Sequence, residues 1–289
     1  MYLPDFQYYS PQTLPEACSL LSQFGSKAKV LSGGTDLIVK MKQSLLEPEV
    51  LVSLQGLTKL KEIYYEQGKG VVIGARATHN ELVNSTILNE KYLSVSEAAH
   101  QMANNQVRNL GTIAGNIVNA VPSADLPPIL IALGATITLV GPKGERTLPL
   151  EDFFTGPGKT VIAVDEVVTQ FVIPDQPTTG SKYFKFGLRR SGALAVVGIA
   201  AAVTMEGKTI RDARLVLGAV APIPIRAKQA EAVLIGKDYS AELLAQAGVV
   251  AAQECKPIDD IRGSAEYRRD LVRVFTKRAL ETAITKGHC

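Results

Sequence analysis

The chain has 289 residues, a formal net charge of +3, and a composition that is 46% hydrophobic and 20% charged. This length is long for a single core and favours two or three subdomains, while the composition is typical of a soluble globular protein. The small net charge, with no basic run interleaved with aromatics, argues against nucleic acid as a partner. No apolar stretch reaches the ~20 residues that a membrane span needs, so none is predicted.

The cysteine pattern limits the chemistry that this chain could perform by itself. Cys18, Cys255 and Cys289 are odd in number and far apart, and the chain has no Cys-x-x-Cys pair. They cannot hold an iron–sulfur cluster or a structural zinc alone, so no metal site is predicted here. Free thiols, together with an N-terminus that lacks a signal-peptide pattern, favour a cytoplasmic location.

The hydrophobic periodicity of the first half predicts short helices alternating with strands. Leu14, Ala17, Leu21 and Phe24 recur at helical spacing and predict a helix over 11–25. The other elements predicted before the turn at 141–144 are strands over 27–31, 49–54, 71–74 and 135–140 and helices over 36–41, 78–84, 92–102 and 125–133.

A change of composition at 174–181, with two prolines, a glycine and few apolar residues, predicts a linker or domain boundary. Strands are predicted beyond it over 182–186, 195–205 and 210–217, and helices over 227–234, 241–254 and 266–285. A meander of strands followed by helices is typical of a small α+β unit with an antiparallel sheet.

Two glycine-rich stretches, Leu31–Asp36 (Leu-Ser-Gly-Gly-Thr-Asp) and Asn109–Asn116 (Asn-Leu-Gly-Thr-Ile-Ala-Gly-Asn), are the most informative feature of the chain. Glycine turns expose successive N–H groups that can bind an anion, and nearby hydroxyls add donors. Two such loops suit a ligand with two phosphates. Neither matches the dinucleotide fingerprint Gly-x-Gly-x-x-Gly or the P-loop, and either one alone could be an ordinary strand-to-helix turn.

Several motifs occur in a fixed order around these loops. Ser-Gly-Gly-Thr-Asp-Leu at 32–37 is followed by Gln-Val-Arg-Asn-Leu-Gly-Thr-Ile-Ala-Gly-Asn-Ile at 106–117 and Pro-Ser-Ala-Asp-Leu-Pro-Pro at 122–128. Further motifs of the same set lie at 165–174, 182–190 and 264–269. The set resembles the FAD-binding medium subunit of the molybdenum hydroxylases, which include carbon monoxide, xanthine and nicotinate dehydrogenases. The resemblance covers Phe6 to about Leu280.

The resemblance implies an α+β fold with two domains. A PCMH-type FAD-binding domain is expected over 1–176, with subdomains of about 1–56 and 57–176. A small C-terminal domain of antiparallel sheet and helices is expected over 177–289.

The resemblance also implies which residues bind FAD. The two loops would hold the pyrophosphate through Leu31, Ser32, Gly33, Gly34, Thr35, Asp36 and Leu37 and through Asn109, Gly111, Thr112, Ala114, Gly115 and Asn116. Ser123 and Asp125 would face the ribityl or ribose hydroxyls, and Val168 would pack against the flavin or adenine. Because a carboxylate repels phosphate, we expect Asp36 to turn away and cap the helix after it. Asp125 could also be a helix cap.

Lys185 and Tyr183 are the residues that the resemblance implies for the redox step. A lysine at the pyrimidine edge of the flavin would stabilise negative charge on the N1–C2=O edge and raise the reduction potential. Tyr183 lies two residues earlier on the same predicted strand, so it shares the face of Lys185 and would lie over the isoalloxazine ring. From the residues alone, Lys185 could equally be an exposed strand lysine and Tyr183 a half-buried sheet aromatic.

The function that the resemblance implies is that of an oxidoreductase subunit. Electrons would pass from [2Fe–2S] clusters through FAD to NAD or another acceptor. Molybdopterin and the clusters are expected on a large and a small partner subunit, in a dimer of heterotrimers. Two alternatives stay open: a free-standing flavin-dependent oxidase or reductase acting directly on a small substrate, and a non-enzymatic module that binds a nucleotide or a protein.

Overall fold

The computed structural model describes residues 3–189 and 191–285, and its strands form three main sheets that follow one another along the chain. The first sheet is parallel, in the order β1-β3-β2, and its two connections are helical, as parallel neighbours require. Its elements are β1 (Gln7–Tyr9), α1 (Leu14–Phe24), β2 (Ala28–Leu31), α2 (Leu37–Lys42) and β3 (Val50–Ser53).

The second sheet is antiparallel, in the order β4-β5-β10-β6-β7, and it carries a group of short helices between β5 and β6. The elements before β6 are β4 (Ile63–Glu66), β5 (Gly70–Gly74), α3 (His79–Asn84), α4 (Thr86–Lys91), α5 (Leu93–His100), α6 (Asn105–Leu110), α7 (Ile113–Val118) and α8 (Leu126–Ala132). They are followed by β6 (Thr136–Gly141), β7 (Gly144–Pro149), the small ribbon β8 (Phe154–Gly156) and β9 (Lys159–Thr160), and β10 (Val167–Ile173).

The third sheet is an antiparallel meander in the order β11-β12-β13-β14, covered by three helices. Its elements are β11 (Gly180–Phe186), β12 (Val197–Glu206), β13 (Thr209–Gly218), β14 (Ile225–Arg226), α9 (Lys228–Leu234), α10 (Ala241–Glu254) and α11 (Ala265–Thr285). No helix of the described chain has the length and apolar character that crossing a bilayer requires.

The second and third sheets share one hydrophobic core through α8. Every residue of α8 is buried, and Tyr183, Ala200 and Val216 of the third sheet belong to the same cluster of buried side chains. Two polar contacts add to this packing: Ser94 Oγ lies 2.7 Å from Ser181 Oγ, and Lys182 Nζ lies 2.7 Å from a carboxylate oxygen of Glu97. The side chains of β11 are therefore fixed against α5 and α8.

The expected fold class, α+β with an FAD-binding part and a small C-terminal sheet covered by helices, is confirmed. The boundaries at 56 and 176 stay predictions. Two local expectations were wrong. The helix expected over 92–102 ends at His100, and the second glycine stretch is mostly helical. Ala103, whose backbone is left-handed at φ +43°, separates α5 from α6. The Thr112 side chain accepts the N–H of Gly115 and starts α7 within the second glycine stretch.

Candidate functional site

A cavity of about 400 Å³ lies where the loop between β2 and α2 meets the loop between α6 and α7. Both glycine stretches line it, and Val167 and Val168 of β10 provide an apolar side. A volume of this size, with apolar walls and a few polar groups, is typical of a small-molecule site.

The two glycine loops touch each other at this cavity. A Cβ atom at Gly33 would overlap the backbone carbonyl of Leu110, so only glycine permits this approach. The Ser32 and Thr112 hydroxyl oxygens lie 3.1 Å apart, and Lys40 Nζ donates to Asn119 Oδ1 at 2.7 Å. The loops therefore form one continuous wall, although about 80 residues separate them in the chain.

The first loop carries the free backbone donors. The N–H groups of Gly33, Gly34, Thr35 and Asp36 donate to no other residue within 3–189 and 191–285, and Gly34 has φ +73°. Successive N–H groups in such a turn make an anion-binding concavity. This arrangement fits the diphosphate of FAD.

The second loop differs from the expectation, because the N–H groups of α7's first turn are already bonded. Ile113 and Ala114 donate to the carbonyls of Ala77 and Ala75 at 2.9 and 3.1 Å. Gly115 donates to Thr112 Oγ1 at 3.2 Å. This loop offers side chains instead, namely the Thr112 hydroxyl and the Asn116 amide, whose Oδ1 is buried with no partner among the described residues.

The structure brings together twelve of the eighteen predicted site residues at the cavity and places the others elsewhere. Lining it are Ser32, Gly33, Gly34, Thr35, Asp36, Leu37, Gly111, Thr112, Ala114, Gly115, Asn116 and Val168. The predicted residues outside its lining are Leu31, Asn109, Ser123, Asp125, Tyr183 and Lys185.

The expectation that Asp36 caps α2 was wrong. Its side chain makes no capping hydrogen bond, and its backbone is helical, with φ −102° and ψ −45°. A capping side chain reaches the first N–H groups from an extended backbone, which Asp36 does not adopt. Asp36 is exposed and lines the cavity.

Asp125, Tyr183 and Lys185 form a buried cluster outside the cavity lining. The Tyr183 hydroxyl donates to Asp125 Oδ1 at 2.9 Å, and Lys185 Nζ donates to Asp125 Oδ2 at 2.8 Å. Lys185 Nζ also donates to the carbonyl oxygen of Gln101 at 3.1 Å. Tyr183 and Lys185 therefore share a strand face as predicted. The alternative that Asp125 caps α8 was wrong, because its carboxylate makes no capping bond.

Burial controls the charges in this cluster. The side chain of Lys185 is 7% exposed, so it is not the exposed strand lysine that the residues alone allowed. Burial raises the pKa of Asp125, and the nearby Lys185 ammonium opposes that rise. Burial and then the Asp125 carboxylate hold the pKa of Tyr183 well above its ordinary value, so its hydroxyl stays a donor.

Sequence reasoning missed several cavity residues with polar side chains. Lys29 and Lys40 stand on either side of the first glycine loop and line the cavity, and this placement of lysines was a readable signal for an anion. Glu166 also lines it, and Arg146 binds both oxygens of that carboxylate at 2.6 and 2.7 Å. The hydrogen bonds from Arg146 lower the pKa of Glu166, which leaves an ionised acceptor at the cavity.

His79 is a further residue that lines the cavity. It begins α3, is 1% exposed, and its Nδ1 has no hydrogen-bond partner among the described residues. Burial lowers its pKa to about 4, and the Arg108 charge adds to that effect. The imidazole is therefore neutral at pH 7. The described part of the chain contains no group of three His, Cys, Asp or Glu side chains that could hold a metal ion.

We expect His79 to make the chain sensitive to acid. The pKa of this imidazole is about 6.5 when unfolded and about 4 when folded, so the unfolded chain binds more protons between these values. The free energy of unfolding should fall as the pH is lowered through this window, by on the order of 3 kcal/mol when the loss is complete. Urea unfolding at pH 7 and pH 4.5 should show a larger loss for the parent chain than for His79→Gln. Equal losses would contradict this assignment.

Two family models match the chain along almost its whole length. Residues 4–176 match the family described as the FAD binding domain in molybdopterin dehydrogenase. Residues 182–283 match the CO dehydrogenase flavoprotein C-terminal domain. The first match covers both glycine loops and Asp125, and the second covers Tyr183 and Lys185.

Similar proteins match over the same extent. The chain is 37% identical to the carbon monoxide dehydrogenase medium chain of Hydrogenophaga pseudoflava over 98% of both sequences. It is 34% identical to the glyceraldehyde dehydrogenase medium chain of Sulfolobus acidocaldarius, over 97% of this chain and 99% of that one. A solved structure of the Hydrogenophaga pseudoflava carbon monoxide dehydrogenase superimposes with a TM-score of 0.95, over 99% of this chain and all of that one. This chain belongs to the family of FAD-binding medium subunits of the molybdenum hydroxylases.

Proposed function

We propose that this chain is the electron-transfer flavoprotein of a molybdenum hydroxylase, taking electrons from [2Fe–2S] clusters and passing them to NAD or another acceptor. The observation that carries the cofactor assignment is the set of four free N–H groups of the first glycine loop at a cavity lined by Lys29 and Lys40. When bound, FAD supplies a carrier that can accept two electrons and pass them on.

Different cavity residues bind different parts of the cofactor. The N–H groups of Gly33–Asp36 and the ammonium groups of Lys29 and Lys40 hold the pyrophosphate, since both are donors to anionic oxygen. Thr112 and Asn116 add polar side chains from the second loop, and Val168 provides apolar contact. Glu166, which is held ionised by Arg146, is placed to accept hydrogen bonds from hydroxyl groups.

The cluster of Asp125, Tyr183 and Lys185 acts on the flavin ring, the part of FAD that accepts electrons. An ammonium has three N–H donors, and Lys185 uses two of them on Asp125 and Gln101. The third donor would remain for the flavin's pyrimidine edge, where a fixed positive charge would favour the reduced form. Asp125 positions that ammonium, and the Tyr183 hydroxyl in turn orients Asp125.

The partners follow from the kind of subunit this is. The relatives named above are medium chains, which are parts of multi-subunit enzymes. We propose a large subunit that carries molybdopterin and a small subunit that carries [2Fe–2S] clusters, assembled as a dimer of heterotrimers in the cytoplasm. Substrate selectivity then lies on the large subunit.

The purified full chain should bind FAD, and Gly33→Ala should abolish retention of the flavin. The added Cβ overlaps the Leu110 carbonyl and forces the two loops apart. Absorbance near ~450 nm after gel filtration, together with its loss on reduction by dithionite, measures the bound flavin. The matched control is Gly156→Ala in β8, whose Cβ would meet no atom closer than 3.9 Å and whose backbone is not left-handed. Normal FAD content in Gly33→Ala would contradict the two-loop site.

The FAD-loaded chain alone should not be reduced by a purine, an aldehyde, carbon monoxide or an aromatic heterocycle. Bleaching of the flavin should require the co-purified native complex, with molybdenum and iron found by metal analysis. Anaerobic mixing followed at ~450 nm gives the comparison. Bleaching of the isolated chain by one of these substrates would instead support a free-standing flavin oxidase or reductase.

The variants Asp125→Asn and Lys185→Met should shift the flavin reduction potential in opposite directions. Asp125→Asn leaves the Lys185 charge uncompensated and should raise the potential by about 30 mV, the equivalent of ~1.4 kcal/mol for two electrons. Lys185→Met removes the ammonium and should lower the potential, by an amount that burial limits because it raises the pKa of Asp125.

Dye-linked titration at pH 7 measures these two potentials. Lys182→Met is the matched control, since Lys182 lies on the same strand three residues away and pairs with Glu97 instead. An unchanged potential in both variants would remove Asp125 and Lys185 from the redox site.

A further inference from the structure

Three consecutive backbone carbonyls at the end of α5 are each held by a different part of the chain. The Gln101 carbonyl accepts from Lys185 Nζ at 3.1 Å, and the Met102 carbonyl accepts from an Arg108 guanidinium nitrogen at 2.9 Å. The Ala103 carbonyl accepts from the N–H of Gly192 at 3.0 Å. Two of these donors come from the C-terminal part of the chain. We call residues 101–103 the held turn.

The held turn has a conformation that needs such support. Ala103 has φ +43°, a left-handed backbone that a residue with a Cβ rarely adopts. A backbone conformation of this kind persists where several surrounding contacts hold it in place. The turn connects α5 to α6, and α6 leads directly to Gly111 of the second glycine loop.

Met102 brings the held turn into contact with the cofactor site. Met102 lines the cavity, together with His79 and Val107. Met102 is also the neighbour of Gln101, whose carbonyl binds Lys185. The turn is therefore the point at which the cavity wall and the Asp125–Lys185 pair meet.

Arg108 holds the turn from the side of the glycine loop, and it is itself oriented. Its Nε donates to Asn80 Oδ1 at 3.2 Å, while the amide nitrogen of Asn80 donates to Asn105 Oδ1 at 2.8 Å. The planar guanidinium reaches Asn80 and Met102 in two fixed directions at once, which a lysine ammonium on a flexible stem cannot reproduce.

We propose that Arg108 is a positioning residue for the cofactor: by holding the Met102 carbonyl it fixes the held turn against α6 and keeps Met102 in the wall of the FAD cavity. This inference rests on the proposed function, since it assumes that FAD occupies the cavity. Arg108 acts through Met102 and not through direct contact with the phosphates.

The first test titrates FAD into the full chain and records visible circular dichroism of the bound flavin. Arg108→Gln should weaken binding about tenfold, because the hydrogen bonds of a charged donor are lost. It should also change the flavin dichroism, which a loss of fold stability alone would leave unaltered. Arg108→Lys keeps the charge and one acceptor, so about threefold weakening is expected. Arg211→Gln, at an exposed position of β13, is the matched control.

The second test asks whether Arg108 acts through Met102. Met102→Ala should weaken binding and change the dichroism in the same way. The Arg108→Gln/Met102→Ala double variant should bind no more weakly than the weaker single variant, since Arg108 then has no Met102 side chain left to position. Should Arg108→Gln fail to fold, Asn80→Ala takes its place in the cycle, because it frees the same guanidinium.

Two outcomes would overturn the inference. One is binding and dichroism of Arg108→Gln equal to those of the parent chain. The other is a double variant whose loss is the sum of the single losses, which would mean that Arg108 acts on FAD independently of Met102. A parent chain that takes up no FAD would contradict the proposed function itself, whatever the variants do.

Discussion

The site depends on the close approach of two backbone segments, Gly33 of the first glycine loop and the Leu110 carbonyl at the start of the second. No side chain could stand between them, so the absence of a Cβ at one position permits the contact. The Ser32–Thr112 and Lys40–Asn119 hydrogen bonds then fix the loops side by side. The cavity has its shape because the first, parallel sheet and the second, antiparallel sheet are joined where these two loops touch.

The two loops have similar compositions but different roles, and the difference follows from where their N–H groups go. The second loop starts α7 beside the end of β5, where the Ala75 and Ala77 carbonyls need donors. Buried backbone carbonyls are almost always paired, so the N–H groups of Ile113 and Ala114 are committed to them. The first loop follows a strand end with no such demand, and its four N–H groups are left for a ligand.

A second constraint is the cost of burying the Asp125 charge. A buried carboxylate needs a partner of opposite charge or hydrogen-bond donors, and β11 supplies both through Lys185 and Tyr183. Because α8 is buried in a core that the second and third sheets share, the C-terminal part of the chain cannot shift without disturbing this pair. Lys185 also donates to the Gln101 carbonyl, so the position of its charge is coupled to the position of the cavity wall.

The sequence by itself determined the features whose physical cause is local. These are the two glycine loops, the apolar helix α8, the antiparallel meander beyond residue 180, and the shared strand face of Tyr183 and Lys185. The motif order that identifies the family also lies in the sequence. Only the tertiary structure decided that Lys185 is buried, that Asp125 pairs with it 60 residues away instead of capping α8, and that Asp36 caps nothing. It also placed His79 and Met102 at the cavity. Periodicity and propensity report on neighbours along the chain, whereas burial and charge pairing depend on which distant segments meet.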